Sequence, residues 1–311
     1  MKTKTILLFL LVFFSLSAKG ASKNLYIVED TSANSPKLKS WRDPSTLYKS
    51  AKAKNLNIIG LDRLKASASA MPSVNGLLTI KNRITKASNG LAEDIYIVDL
   101  RQEPHGYLNN DAITLVGDHN WANRNRTATS ALMAEKKWLQ ALSTETVLNN
   151  VLSSSQYKSN QLSAGKVVPV KEIISEKRAA INASLHYVRL MVTDHMQPGD
   201  VEVDTFVQLI NNLPPNAWIH LHCRGGKGRT TTFMVMLDML RNSSQVSFND
   251  IIKRQAAVSP YYDMLDVHRK HIELTRFYEQ RAQFIQQFYR FSQASIKDKT
   301  LTWSYWRYLK G

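Results

Sequence analysis

Cysteine is almost absent from this sequence, whose 311 residues include a single one, Cys223. One cysteine excludes an intramolecular disulfide and a zinc site built on cysteines. Acidic residues are also few, because 25 Asp and Glu stand against 41 Lys and Arg and leave a formal net charge of +16. A charge of this sign and size favours polyanionic partners, such as nucleic acid, an anionic membrane surface or a heavily phosphorylated small molecule.

Long apolar runs are missing too, apart from residues 6–16. That run is too short for a membrane-spanning helix, which needs about 20 residues. Lys2 and Lys4 precede it and the small residues at 18–20 follow it, which is the pattern of a signal peptide. We therefore expect residues 1–20 to be removed on export, with no stable membrane anchor left behind. Removal takes away three lysines and no acid, so a charge of +13 remains.

The remaining composition, with 43% hydrophobic and 9% aromatic residues, excludes a disordered chain, a collagen-like repeat and a protein with many membrane spans. Apolar runs typical of strands alternate with apolar residues at helical spacing, which predicts an α/β fold with a mainly parallel sheet flanked by helices. Strands are predicted at residues 24–29, 56–59, 94–100, 186–192 and 217–222. Helices are predicted at residues 131–142, 175–181, 201–213, 230–240, 248–257 and 267–291.

The most informative segment, residues 222–230, reads His-Cys-Arg-Gly-Gly-Lys-Gly-Arg-Thr and lies where a predicted strand gives way to a helix. Its glycines are Gly225, Gly226 and Gly228. They let the backbone turn successive N–H groups toward one point, and the helix adds its positive dipole end. Both effects favour a nucleophilic thiolate at Cys223. Arg229 can hold two phosphate oxygens, and Thr230 can hydrogen-bond the sulfur.

A phosphocysteine mechanism also needs an acid that protonates the leaving oxygen. Asp194 follows the preceding predicted strand, and adjacent parallel strands would bring it to the same sheet edge as Cys223. Taken alone, Asp194 could equally be a turn residue or a helix cap. Beside Cys223 and Arg229 it is the best candidate for the acid. His195 is either a substrate ligand or an ordinary loop histidine.

The 222–230 loop matches the signature of the cysteine-based protein tyrosine phosphatase superfamily. More narrowly, the chain resembles the bacterial protein-tyrosine-phosphatase-like inositol polyphosphatases, or cysteine phytases, from about residue 55 onward. The resemblance rests on residues 98–106, 120–123, 187–195, 222–230, 233–240, 251–255 and 287–290.

This resemblance implies a tyrosine-phosphatase-like core within one domain, residues 21–311. A small partial β-barrel subdomain would be drawn from the N-terminal part and from the region around residues 112–170. It also implies stepwise hydrolysis of inositol polyphosphates such as phytate without metal or cofactor. Together with the signal peptide, this predicts a periplasmic or secreted enzyme. In that family the equivalents of Cys223, Arg229 and Asp194 are nucleophile, phosphate ligand and general acid.

Two cations within the loop, Arg224 and Lys227, depart from many members of that family. Lys227 resembles the loop lysines of lipid-directed inositide phosphatases, which favours a ring that carries many phosphates. Arg101 is a further candidate ligand, although Arg101 and Glu103 could instead form a structural ion pair. Further candidates are His268, Arg269 and Lys270, which could equally be a solvated helix start.

Three other functions stay open at this point. A secreted tyrosine or dual-specificity phosphatase would act on phosphoproteins or phosphoinositides. A non-catalytic polyanion binder would use the net charge and would not need Cys223. A sulfurtransferase also uses a cysteine in an anion-binding loop, but the spacing to Arg229 favours phosphate. Aromatic residues near the C-terminus could stack on nucleic acid, but packing of their rings on the core is favoured, so no nucleic-acid partner is predicted.

Overall fold

The computed structural model describes residues 24–35, 37–269 and 271–310. The predicted signal peptide and Lys270 lie outside these residues. The strands are β1 (Tyr26–Thr31), β2 (Ala66–Ala70), β3 (Ile95–Asp99), β4 (His105–Leu108), β5 (Asp111–Val116), β6 (Val147–Ser153), β7 (Lys166–Pro169), β8 (Ile173–Ile174), β9 (His186–Arg189) and β10 (Trp218–Cys223). The α-helices are α1 (Pro44–Ala53), α2 (Val74–Ala87), α3 (Ala128–Ser143), α4 (Ser154–Lys158), α5 (Glu176–Asn182), α6 (Asp200–Asn212), α7 (Gly228–Asn242), α8 (Phe248–Ala256), α9 (Thr275–Lys297) and α10 (Trp303–Lys310).

Four parallel strands form the central sheet in the order β2, β10, β3, β9. Successive residues of β10 point to opposite faces, and all of them are buried. Ile219 and Leu221 pack in the larger core with α1 and α6 to α10, whereas Trp218 packs with α2 and α5. Helices thus cover both faces, and the predicted α/β fold with a parallel sheet flanked by helices is confirmed.

Strand β2 was not predicted, because its sequence Ala-Ser-Ala-Ser-Ala lacks the branched and aromatic side chains typical of strands. The strand predicted at residues 56–59 is wrong. That segment is irregular and leads into a short 3₁₀-helix, Leu61–Arg63. The small side chains of β2 matter later, because the loop that follows β10 lies directly against them.

A second sheet contains six strands in the order β7, β6, β1, β5, β4, β8. Its pairs are antiparallel except for β1 with β6. It is built from the N-terminal strand and from the region between β4 and β8, close to the segments predicted for the β-rich subdomain. Its order is open, with β7 and β8 at the edges, so the predicted partial barrel is not confirmed.

Helix α9 begins at Thr275 and not near residue 267, because residues 261–269 form a loop and a 3₁₀-helix (Ile272–Leu274) follows it. The rings of Trp303 and Trp306 pack on this helix, as the sequence favoured; Trp303 lies 5.6 Å from Phe291 between ring centroids. No helix in the described part of the chain combines the length and the apolar character needed to cross a membrane.

Candidate active site

The site is centred on the loop that joins β10 to α7. Cys223 is the last residue of β10, and its side chain is buried at the N-terminal end of the 15-residue helix α7. Gly226 has a φ of 66°, and an added Cβ there would lie 2.5 Å from the backbone nitrogen of Ala70 in β2. Any side chain at this position would therefore be strained and would collide with β2, which is why the loop needs glycine here.

Arg229 lies in the first turn of α7 and is fully buried against Glu103. Its Nη1 donates to Glu103 Oε2 at 2.6 Å, and its Nη2 donates to Oε1 at 2.9 Å. Burial would lower the pKa of Arg229, but Asp194 and Glu103 raise it well above its ordinary value. Because Glu103 holds the Nη1–Nη2 fork, a two-pronged contact with phosphate has to use Nε and the second hydrogen of Nη2.

Asp194 lies in the loop after β9 and reaches Arg229 from the other side. Its Oδ1 is 3.2 Å from Arg229 Nε, and its Oδ2 accepts a hydrogen bond of 3.1 Å from Asn120 Nδ2. Trp121 Nε1 donates to the backbone carbonyl of Asp194 at 2.9 Å. Burial would raise the pKa of Asp194, but the charge of Arg229 is the main influence that outweighs it and lowers this pKa. The predicted acid is therefore at the site, as a carboxylate paired with Arg229.

His195 borders the same loop and has a φ of 69°. Its Nδ1 is 3.2 Å from the hydroxyl of Tyr278 on α9. Burial is the main cause that lowers the pKa of His195, and it outweighs the opposing charge of Asp194. The neutral ring at the edge of the site can offer a hydrogen bond to a ligand.

Two of the predicted substrate ligands are paired with carboxylates in the structure. Arg224 Nε donates to Asp30 Oδ1 in β1 at 2.7 Å, which ties the loop to the six-stranded sheet. Arg101 is fully buried, and its Nε donates to Glu103 Oε1 at 2.8 Å. The ion pair of Arg101 is the alternative that the sequence left open, and the role of both arginines as substrate ligands stays a prediction.

The remaining predicted ligands differ in their exposure. Gly225 and Lys227 are exposed, so the Lys227 ammonium is free to meet a ligand at the mouth. His268 is exposed in the loop before α9, and Arg269 stacks 3.9 Å above the ring of Tyr262. Thr230 is buried, and its Oγ1 has no hydrogen-bond partner in the part of the chain described, so the predicted bond to the sulfur is not present.

The structure adds residues that the sequence analysis missed. An added Cβ at Gly228 would lie 2.7 Å from Arg281 Nη1 and 3.4 Å from the hydroxyl of Tyr262, so both side chains border the loop. Arg281 is only 2% exposed. The available signal was a lone cation on the buried face of α9, one position before Ala282 and three after Tyr278. Arg42 also contacts the loop, but no pattern in its irregular surroundings indicated it.

Behind the loop lies a buried charge network. Asp99, Glu176 and His222 bring possible metal-ligating atoms within 4.8 Å of one another. His105 Nε2 is 3.1 Å from Asp99 and 3.0 Å from Glu176, and Arg189 Nε is 3.1 Å from Asp99. Burial and neighbouring arginines would lower the pKa of His105, but carboxylates that include Asp99 raise it to about 9. The two carboxylates therefore already have positive partners.

A protein-family model and a curated relative each match part of this chain. A protein-family model described as PTP-like phytase, inositol hexakisphosphate, matches residues 98–241. A curated relative, the effector protein HopD2 of Pseudomonas syringae pv. tomato, is 31% identical over 214 residues, which are 68% of this chain and 45% of that protein. The chain thus spans less than half the length of this relative.

Two solved structures are similar over almost the whole chain. A PTP-like myo-inositol phosphatase from Mitsuokella multacida, in complex with myo-inositol-(1,3,4,5)-tetrakisphosphate, has a TM-score of 0.83 and 31% identity over 94% of this chain and 49% of its own. A PTP-like phytase from Bdellovibrio bacteriovorus has a TM-score of 0.73 and 30% identity, and the match covers 94% of this chain and 98% of that one. With such a relative matched from end to end, this chain belongs to the PTP-like phytase family.

Proposed function

We propose that this protein is an exported phosphatase that hydrolyses phosphomonoesters of myo-inositol polyphosphates through a phosphocysteine at Cys223, without a metal ion. The observation that carries the proposal is the convergence of three side chains. Cys223 ends the central strand β10 at the start of α7, Arg229 lies in the first turn of α7, and Asp194 lies 3.2 Å from Arg229 Nε. A buried structural cysteine needs neither of these companions.

In the first step, Cys223 Sγ attacks phosphorus and the bond to the ester oxygen breaks. Asp194 gives its proton to that oxygen, which leaves as the inositol hydroxyl. Arg229 and the backbone N–H groups of the loop hold the other phosphate oxygens through the transition state. In the second step, Asp194 takes a proton from water, whose oxygen attacks phosphorus, and the Cys223 thiolate leaves.

The charges around the mouth support a substrate with several phosphates. Lys227 on the loop and Arg281 beside Gly228 add two cations to the one that holds the reacting group. A phosphotyrosine offers one dianion, whereas an inositol polyphosphate offers a neighbouring phosphate to each of these cations. The similar Mitsuokella structure is a complex with an inositol tetrakisphosphate, which points to the same substrate class.

Export is supported by the basic start and apolar run of residues 1–20, and by the likeness to an effector protein. Cleavage is expected before Ala21. N-terminal sequencing of the protein recovered from periplasm or medium tests this, and an N-terminus at Met1 in the exported protein contradicts it.

Phosphate release from inositol hexakisphosphate with excess EDTA present tests the activity directly. We expect full activity under these conditions and a kcat/KM higher than that for a phosphotyrosyl peptide. Loss of activity with EDTA contradicts the metal-free mechanism. A peptide preferred over the inositol phosphate instead supports the tyrosine or dual-specificity phosphatase that the sequence left open.

Replacement of Lys227 by methionine should separate substrates by their number of phosphates. We expect KM for inositol hexakisphosphate to rise about tenfold, because one partly desolvated cation–phosphate contact is lost. For p-nitrophenyl phosphate kcat/KM should stay within about twofold, since that substrate has no second phosphate. The difference should shrink as salt is added.

The matched control is Lys86→Met, which removes the same charge at the exposed end of α2, away from the loop. This variant should change neither KM for inositol hexakisphosphate nor kcat/KM for p-nitrophenyl phosphate. Equal losses on both substrates in the Lys227 variant would show that this lysine serves the conformation of the loop.

A further inference from the structure

Arg42 lies two residues before α1, and its side chain contacts the loop from the N-terminal part of the chain. Its backbone N–H donates to the carbonyl of Ala68 in β2 at 2.9 Å, and its carbonyl accepts from the N–H of Ala68 at 2.8 Å. Its Nη1 donates to the carbonyl of Gly226 at 2.9 Å, and its Nη2 donates to Thr231 Oγ1 in α7 at 3.1 Å. One guanidinium therefore joins the loop to the helix that follows it.

The hydrogen bond to the Gly226 carbonyl is one of three hydrogen bonds to successive carbonyls of the loop. For the N–H groups of a loop to converge on an anion, its carbonyls have to point outward and find donors elsewhere. The carbonyls of residues 224, 225 and 226 accept hydrogen bonds from Met71 N, Ser40 Oγ and Arg42 Nη1, at 3.2, 3.2 and 2.9 Å. Of these three donors, only Arg42 carries a charge.

Arg42 also differs from the other fully buried arginines. These are Arg42, Arg101, Arg229 and Arg254. The others pair with Glu103 or Asp238, whereas Arg42 has no carboxylate within ion-pair distance among the residues described. A buried cation without a counter-ion is costly to the folded state. Burial lowers the pKa of Arg42 to about 10, and the opposing influence comes from Cys223.

No other anion pairs with Arg42 among the residues that the structure describes. The neighbouring Asp43 caps α1, where its carboxylate accepts from Thr46 N and Trp41 Nε1. His220, whose ring stacks on Trp41, is hydrogen-bonded to serines of β2, and burial keeps its pKa well below the ordinary value. Arg229 faces Cys223 from α7 and is itself positive, with its charge shared by Glu103 and Asp194. The carboxylate of Glu176 contacts His222, on the side of β10 away from Cys223.

We propose that Arg42 is a positioning residue for the function proposed above, whose buried charge has the Cys223 thiolate and the bound phosphate as its counter-ions. Arg42 does not touch the reacting atoms. It acts through the Gly226 peptide, which it orients and polarises so that the loop favours an anion. The thiolate in turn stabilises the buried guanidinium, because such coupling is reciprocal.

The single cysteine makes the test direct, because alkylation by iodoacetamide reports on Cys223 alone. The rate is measured by intact mass against pH for the wild type, Arg42→Gln, Arg42→Lys and Thr231→Val. Glutamine keeps a hydrogen-bond donor for the Gly226 carbonyl but removes the charge. Lysine keeps the charge but cannot donate to Gly226 and Thr231 with the planar geometry of a guanidinium. Thr231→Val removes only the hydroxyl in α7 that accepts from Arg42. Thermal unfolding shows which variants are folded.

We expect the pH of half-maximal alkylation to rise by one unit or more in Arg42→Gln, so that the rate at acidic pH falls about tenfold. Arg42→Lys and Thr231→Val should stay within about half a unit of the wild type. An unchanged half-point in Arg42→Gln, or equal shifts with lysine and glutamine, overturns the proposal. If Arg42→Gln does not fold, a change of more than about half a unit in the pH of half-maximal alkylation of Arg42→Lys contradicts the proposal.

This readout does not need phosphatase activity, so it separates the two proposals. A wild-type protein that alkylates only above about pH 8, like an ordinary thiol, contradicts the phosphocysteine mechanism and with it the role of Arg42. A wild type that alkylates at acidic pH, together with an Arg42→Gln variant that does the same, contradicts the role of Arg42 alone.

Discussion

Replacement of Cys223 by serine is expected to abolish phosphate release from inositol hexakisphosphate, with a loss of about 10⁵-fold or more. A serine hydroxyl in this loop is not ionised at neutral pH, so the nucleophile is missing although the geometry is almost unchanged. Binding should persist, because Arg229, Lys227 and the loop N–H groups remain. It can even tighten, since a negative charge that repels phosphate has been removed.

Calorimetric titration of the variant with inositol hexakisphosphate measures this binding, and thermal unfolding checks the fold. Rapid quench of the wild-type protein with labelled substrate should trap the label on cysteine. Label on a histidine, or a Cys223→Ser protein with its activity intact, would contradict the mechanism. A wild-type protein that binds inositol hexakisphosphate but releases no phosphate would favour the non-catalytic polyanion binder.

Asp194→Asn should slow the reaction by about 10²–10⁴-fold, the usual scale for loss of a general acid. The contact between Asp194 and Arg229 also predicts how kcat/KM depends on pH. An acid whose pKa is lowered gives up its proton at lower pH, and Arg229 lowers the pKa of Asp194. Because the proton is needed on Asp194, kcat/KM should begin to fall at a lower pH than for an unperturbed aspartic acid.

Bound phosphate should shift the alkaline limb of the pH profile to a higher pH. A dianion beside Arg229 competes with Asp194 for the guanidinium, and its own charge raises the pKa of the carboxyl. The alkaline limb of kcat should therefore lie at a higher pH than that of kcat/KM. The Asp194→Asn profiles provide the control, because they contain only the ionisations of the substrate and the remaining groups. An alkaline limb that persists in this variant would assign the acid elsewhere, with His195 next.

The parts of the site that the sequence predicts are those whose geometry is local or follows from strand order. Cys223 and Arg229 lie in one loop whose glycines and following helix define its shape. Asp194 was found because β9 and β10 belong to one parallel sheet, whose strands end at one edge. Even so, β3 lies between them, and the contact between Asp194 and Arg229 depends on how the loop after β9 folds back.

The rest depends on the direction in which side chains point, which composition and spacing do not give. Arg224 and Arg101 have the charge of substrate ligands, but in the structure they donate to Asp30 and Glu103. Arg281 reaches the loop from the last long helix, and Arg42 reaches it from before α1. Each comes from a distant part of the chain, so only the folded structure brings these cations to Cys223.

Strand β1 lies inside the six-stranded sheet, between β6 and β5, and its Asp30 holds Arg224 of the active-site loop. The segment that the family model matches, residues 98–241, contains that loop but not β1, β2, Arg42 or Arg281. A fragment cut to those bounds would lose the neighbour of β10, the partner of Arg224 and two of the cations around Cys223. The two sheets are therefore not separable modules, and a shortened version for expression or for grafting onto another protein has to begin before Tyr26 and include α9.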